Sequence, residues 1–399
     1  MWNTGTATAA GSTSPTRRIN EISLADTVIP ATGAHVWGEY RYDEAGHSQT
    51  CTVCGEVRNE AHTLTETILQ EATYYEEGSK KLECVCGYSR IETIPMLSYE
   101  TGSEATVRGV SLTLNGTINA NAYITIPDAL VEAGLWAELD GSAAKIELSD
   151  KLSSGAYRFT VERAAKNMNT QTAIRLLDET GSPIKLVNES GTEYEADTFR
   201  FCVQDYLQTV IRNPGRFDAK LVALCKAMSD YGHYAQIALK FENENGKIWP
   251  EVYHTAEDFA AVHPTDASST EVKGTGVSYY GASVILRSET RIRAYFRIEG
   301  DAAGAKATVD GSPAELRHYG SGSYYYVDVA DIHAKDLGQI HTICVQLGDN
   351  SATLSNYSAY SYAARVLNRA AADQADADLA NAVRALWRYG QAAETYFQD

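Results

Sequence analysis

Cys51-x-x-Cys54-Gly55 is the stretch of this chain with the plainest chemical capacity. Two thiolates on one tight turn are half of a tetrahedral zinc site, and Gly55 gives the backbone the freedom such a knuckle needs. Cys84-x-Cys86-Gly87 resembles a second, shorter knuckle. His35, His47 and His62 are the nearby imidazoles. The expected arrangement is one Zn²⁺ held by His35, Cys51, Cys54 and His62, with His47, Cys84 and Cys86 as alternates. The rival is a four-thiolate site of Cys51, Cys54, Cys84 and Cys86, and disulfides within or between the pairs are a third reading. Hydrolysis by zinc needs an open position and a placed general base; nothing near these residues resembles that base, so a structural ion is expected.

Little else in the chain announces chemistry. There is no P-loop, no G-x-G-x-x-G, no H-E-x-x-H and no G-x-S-x-G. His233, His254, His263, His318, His333 and His341 are scattered and read as surface or hydrogen-bonded histidines. Cys202, Cys225 and Cys344 stand at apolar positions and read as buried, inert thiols. None of the 52 acidic residues is singled out as a glycosidase-like pair. We therefore expect no catalysis. The 25 tyrosines are more unusual. Tyr279-Tyr280, Tyr324-Tyr325-Tyr326 and Tyr357, Tyr360 and Tyr362 fall near strand ends, where a flat ring with a polar tip suits stacking on a sugar or docking on a protein. The alternative is that they fill the core and line its edges.

The chain has 399 residues, 44% hydrophobic and 22% charged, which is ordinary for a folded protein with room for two or three domains. A formal net charge of −18 argues against nucleic acid and anionic membrane as partners. No run of about 18 apolar residues exists to span a bilayer. Residues 1–27 read as a flexible lead-in. We expect the chain to be one section of a longer protein, with its signal and anchor elsewhere.

The elements that must hold these residues follow. Residues 28–98 are a Cys/His segment too polar for a core of its own, so it needs a staple. From about Val107 the pattern alternates, with hairpin turns at Asn115-Gly116 and Asp140-Gly141 and further strands at Tyr157–Val161, Thr172–Leu177, Pro183–Val187 and Thr198–Val203. Helices are expected at Gln204–Arg212 and, capped by Asp218, at Asp218–Phe241. A second helix of the same pattern, Asp376–Phe397, repeats Asp218, Leu221, Ala227, Tyr231, Gly232 and Ala235 as Asp376, Leu379, Ala385, Tyr389, Gly390 and Ala393. Between the helices, Ala282–Ile298, Val309-Asp310-Gly311-Ser312, Ala334-Lys335-Asp336-Leu337 and Ser361-Tyr362 follow the landmarks of the first half in order. The expected fold class is α+β: a zinc-ribbon-like segment, then two tandem antiparallel β-sandwich-like units at 104–244 and 276–399, each closed by a long helix. Residues 245–275 form the linker, with a short helix around Glu257–Val262. A glycine inside both helices predicts close approach to a neighbour at Gly232 and Gly390.

Pro30–His35 with Trp37, then His47, Cys51-x-x-Cys54-Gly55 and His62, is similar to a repeat found in secreted proteins of gut clostridia. The two β–helix units resemble a module that follows such repeats, marked by Tyr280-Gly281, Ser288-Glu289-Thr290, Ala334-Lys335-Asp336-Leu337 and Tyr389-Gly390. Cys84-x-Cys86 departs from the repeat, Tyr74 and Tyr75 stand near where a further Cys often does, and a closing Gly-His is missing. With that departure the resemblance leaves open whether there is one metal site or two. It implies a multi-domain, extracellular surface protein, and we expect adhesion or ligand presentation towards a glycan or a surface protein. An accessory region of a secreted glycoside hydrolase or peptidase, and a structural stalk, are the competing expectations.

Overall fold

Short polar runs between tight turns make strands, and the Cys/His segment is built from them. A computed structural model describes residues 35–100, 102–114, 117–241, 248–254, 258, 262–286, 289–372 and 377–398. The lead-in, the Asn115-Gly116 turn, Ser288, the Asp376 cap and most of the helix expected around Glu257–Val262 lie outside these residues. The chain divides into two units: Met1–Ala72 with Gly78–Ile94, and Thr73–Glu77 with Pro95–Asp399. In the first unit β1 (Arg41–Tyr42), β2 (His47–Thr50) and β3 (Val57–Glu60) form one antiparallel sheet. A second contains β4 (Thr65–Gln70), β5 (Gly78–Glu83) and β6 (Ser89–Ile94). The buried residues described in this unit are His47, Gln49, Cys51, Gly78, Leu82, Cys84 and Cys86. Only Leu82 among them is an aliphatic side chain. Cysteines and a histidine stand where a core would be.

The second unit is mostly strand, and the chain as a whole is mixed α/β with 24% helix and 40% strand. Its first half opens with β7 (Ala105–Leu114) and β8 (Ile118–Thr125), followed by the one-turn helix α1 (Asp128–Glu132). Then come β9 (Trp136–Leu139), β10 (Ser142–Lys145), β11 (Ala156–Arg163), β12 (Thr172–Leu177), β13 (Pro183–Ile184), β14 (Leu186–Val187) and β15 (Phe199–Phe201). Helices α2 (Val203–Arg212) and α3 (Ala219–Ala238) close it. The order β11-β8-β7-β14 makes one sheet; β10-β9-β12-β13, with β15 also on β12, makes the other. Asp218 caps α3 by accepting the N–H of Lys220 at 2.7 Å and of Leu221 at 3.4 Å.

The second half adds β16 (Ser269–Lys273), β17 (Val277–Leu286), β18 (Thr290–Ile298), β19 (Lys306–Val309), β20 (Ser312–Ala314) and β21 (Arg317–His318). It continues through β22 (Tyr324–Val329), β23 (His341–Leu347), β24 (Asn350–Tyr357), α4 (Ala359–Ala372) and α5 (Ala377–Phe397). Its sheets run β17-β18-β22-β21 and β16-β24-β23-β19-β20. The orders β7-β8-β11 and β17-β18-β22 place elements in the same sequence, as do β10-β9-β12-β15 and β20-β19-β23-β24. Asp140-Gly141 turns β9 into β10 with φ of 46° and 83°, and Asp310-Gly311 turns β19 into β20 with 51° and 81°. Positive φ at both central residues matches the twist of a hairpin, and Asp-Gly tolerates it.

One continuous core runs through both halves, from Ala105 and Ile124 to Phe296, Leu354 and Ala393. Helices α3 and α5 pack face to face, with the rings of Tyr231 and Tyr389 stacked at 5.6 Å. Both phenols are buried, which pushes their pKa upward. The glycine after each tyrosine is where the sequence predicts a close approach. A Cβ on Gly232 would lie 2.5 Å from Met168 Cε; one on Gly390 would collide with the Tyr360 hydroxyl and lie 2.9 Å from Leu337 Cδ1. Part of the linker is strapped to α3, where Trp249 donates its backbone N–H to Gln236 and its indole N–H to Ser229.

Candidate functional site

The β2–β3 hairpin carries the candidate ligands His47, Cys51 and Cys54, with His62 just past it, and the β5–β6 turn carries Cys84 and Cys86; the register of β2 with β3 decides which of the first four can meet. His47 pairs with Glu60 at one end and Thr50 with Val57 at the other. His62, two residues past Glu60, therefore lies beside His47, with ring centroids 5.6 Å apart. Cys51 and Cys54 lie on the turn at the opposite end, which four residues of strand place about 13 Å away. The expected set His35, Cys51, Cys54 and His62 is thus divided, because ligands 2.0–2.3 Å from one ion cannot come from both ends of a strand. Among the described residues two groups form, each with its donor atoms within 4.8 Å of one another: His47, His62, Cys84 and Cys86, and His35, Cys51 and Cys54. The four-thiolate set is divided in the same way.

Both cysteine turns are built alike. Gly55 donates its N–H to the Cys51 carbonyl at 3.0 Å, and Gly87 donates to Cys84 at 2.9 Å. Gly55 has φ of 78° and Gly87 of 93°, so the residue after each pair uses the left-handed region that favours glycine. Backbone amides then point at sulfur. The N–H of Cys54, against burial and helped by that of Val53 and by His35, lowers the Cys51 thiol to about 6. The N–H of Cys86, with His62 assisting, lowers the Cys84 thiol to about 6. Burial raises the Cys86 thiol, which faces Cys84. The Asp43 carbonyl, and next the Cys84 sulfur, raise the pKa of His62.

The donor set fits a divalent ion of the zinc type. His47, Cys84 and Cys86 are buried, two sulfurs and two imidazoles form a full tetrahedral complement, and the unit offers little else to bury. All seven cysteines are free thiols. Cys202 and Cys225 are buried, and burial pushes each thiol up to about 12, as suits inert core residues; Cys344 is half-buried.

The tyrosines divide by strand parity, which the sequence alone left open. On β18, Ile292, Ala294, Phe296 and Ile298 face the core, so Arg291, Arg293, Tyr295 and Arg297 face outward. Tyr279, Tyr325, Tyr357, Tyr360 and Tyr362 pack on or in the core. The outward face carries Tyr280, Tyr295, Tyr319, Tyr324 and Tyr326, with Tyr280 66% and Tyr319 50% exposed. The Arg293 guanidinium lies 3.8 Å from the Tyr326 ring centroid. Asp328 holds it there, accepting from Nε at 2.7 Å and Nη2 at 2.8 Å, and also takes Arg291 at 3.0 Å.

Burial alone would raise the Asp328 pKa, but the two guanidiniums hold it below the usual carboxylate range. A depressed folded-state pKa means that this stabilisation is present above the unfolded carboxylate pKa, about 3.9, and is lost as pH falls through the folded value. Asp328→Asn is expected to lower stability at neutral pH by about 1–3 kcal/mol. It should also flatten the fall of the melting temperature between pH 5 and pH 3. An unchanged acid slope in calorimetry at several pH values would count against the pair.

The equivalent face of the first half is covered. Tyr123 on β8 and Tyr295 on β18 each stand opposite a glycine at a β-bulge, Gly109 and Gly281, and their hydroxyls meet Ser111 at 3.0 Å and Ser283 at 3.3 Å. Over Tyr123 lies Tyr75, with ring centroids 4.2 Å apart and its hydroxyl donating to the Arg108 carbonyl at 3.4 Å. Tyr74 stacks on Tyr99 beside it at 4.2 Å. Tyr123 is left 2% exposed. No family model matches the chain, and no curated protein matches it. Among the described residues no helix is long and apolar enough to cross a membrane.

Proposed function

We propose that this is a non-catalytic, extracellular binding protein of a bacterial surface, whose contact face is the tyrosine face of β17, β18 and β22. The observation that carries this reading is the contrast between equivalent faces. Where Tyr123 is roofed by Tyr75 and buried, Tyr295 is only half-buried, met edge-on by Tyr319 at 5.1 Å, and Tyr280 and Tyr319 beside it are exposed. Aromatic rings stacked on aromatic rings are what the covered face accepts, and a glycan ring or an aromatic side chain of a surface protein meets the same requirement. Arg293, locked over Tyr326 by Asp328, loses little freedom on binding. The two halves are read as tandem copies of one fold, a reading their matching strand orders favour. Ahead of them the Cys/His segment acts as a zinc-ribbon-like spacer, stapled by a structural Zn²⁺ at His47, His62, Cys84 and Cys86.

The test is a glycan-array and host-protein screen with the full chain and with a Tyr295→Ala, Tyr326→Ala variant. Rings of this kind each contribute about 1–2 kcal/mol, so the variant should bind any hit at least tenfold more weakly. Hits retained in full by the variant would place binding elsewhere. No hit with either protein would favour a stalk, and hits confined to one polymer substrate would favour an accessory region of a secreted hydrolase.

A further inference from the structure

We infer that the Cys/His unit holds two metal ions, the second at His35, Cys51 and Cys54 with one coordination position open to an outside donor. The orientation of the three histidines carries this. His35, His47 and His62 each turn Nδ1 to a cysteine sulfur: Cys54 at 3.3 Å, Cys84 at 3.7 Å and Cys86 at 3.5 Å. Nε2 of each lies near oxygen: His35 beside Glu56 at 3.4 Å and His47 beside Glu60 at 3.5 Å as ion-pair contacts, and His62 hydrogen-bonded to the Asp43 carbonyl at 2.8 Å. A carbonyl oxygen only accepts, so His62 carries a proton on Nε2, and in the neutral ring its lone pair is at Nδ1. The carboxylates beside Nε2 favour a proton there at His35 and His47 as well. A far N–H held by oxygen while the near nitrogen faces the ion is the outer-partner pattern of metal-bound histidine. A nitrogen lone pair set against a cysteine sulfur is met by the thiol proton or, once that proton is lost, by a cation bound to both atoms, and the unit makes this arrangement at both ends of one hairpin.

The two groups differ in completeness. The first has four donors and is closed. The second has three, and among the described residues no further His, Cys, Asp or Glu joins it. Glu56 does not complete it, because its carboxylate sits on the far nitrogen of His35. Cys54 and His35 are exposed, so solvent reaches the remaining position. Trp37 stacks on His35 at 4.9 Å, and Arg58 lies 4.6 Å over the Trp37 ring, which fixes the imidazole without filling the site. Two thiolates neutralise a divalent ion, so water or a neutral imidazole suits the open position.

Metal analysis of the full chain prepared with Zn²⁺ is expected to give two equivalents. Cys54→Ser, at an exposed turn position, should give one equivalent with unchanged circular dichroism, and His35→Ala should do the same. In the Co²⁺-substituted protein the visible bands of the equivalent lost in Cys54→Ser should shift on addition of imidazole. A single equivalent in the wild type, unaltered by Cys54→Ser, would overturn the second ion, as would a Cys51–Cys54 disulfide found in protein isolated without oxidant. Bands indifferent to imidazole would overturn the open position. The first group is tested separately by Cys84→Ser, so failure of one site is distinguishable from failure of the other.

Discussion

Stripping metal from this protein is expected to unfold the Cys/His unit and leave the β–helix unit standing. The buried residues of the first unit are chiefly donors, with Leu82 the one aliphatic side chain among those described. Without an ion, the buried His47, Cys84 and Cys86 and the half-buried His62 would stay crowded together with no cation to bridge them, and no apolar core would remain to offset the chain entropy. Structural zinc in units of this size supplies on the order of 10 kcal/mol of folding free energy, so its loss exceeds what six short strands can hold. The second unit has its own core running from Ala105 to Ala393. Amide exchange followed by mass spectrometry should therefore show residues 41–72 and 78–94 exchanging fully after chelation, while β8, β18 and α3 stay protected. Protection of β2 and β5 in metal-free protein would mean that the staple is dispensable.

Gly390→Leu and Gly232→Leu are each expected to destabilise the β–helix unit by overpacking. At Gly390 a side chain meets the Tyr360 hydroxyl, Leu337 and the Ala334 carbonyl, and the last of these is backbone that cannot turn aside. At Gly232 it meets the flexible end of Met168 first and then Gln204 and the Ala165 carbonyl. Overpacking of this kind costs about 1–3 kcal/mol, with Gly390 expected at the upper end because Met168 can yield. Thermal melts would show the loss as a lowered midpoint. Equal midpoints for both variants and the parent protein would show that the helices have room to spare.

Much of the fold is legible in the residues themselves. Asp218 reads as a cap and caps; Asp140-Gly141 reads as a hairpin turn and is one; Thr172–Leu177 is a strand from end to end. These are local signals, in which side-chain period or φ preference acts within a few residues. The short strands of the Cys/His segment were hidden, because polar residues pair there with no apolar alternation to mark one face. The ligand sets depended on a register. His62 and Cys51 are close in sequence, yet the pairing of His47 with Glu60 sends them to opposite ends of a hairpin. Spacing alone says which residues are able to bind an ion, and it does not say which of them meet. The pairing of α3 with α5 was equally out of reach, since two similar helices reveal a shared pattern without revealing that they face each other. So was the roof over Tyr123, which comes from Tyr75, far away in sequence.

The most direct measurement is a mapping of where a ligand sits. With a hit in hand, NMR titration of the full chain labelled at the tyrosine rings locates the contact. Shifts and intermolecular contacts confined to Tyr280, Tyr295, Tyr319, Tyr324 and Tyr326, with Tyr123 and Tyr231 silent, are the expected result. Contacts on the Cys/His unit or along α4, with the rings of that face unmoved, would contradict it.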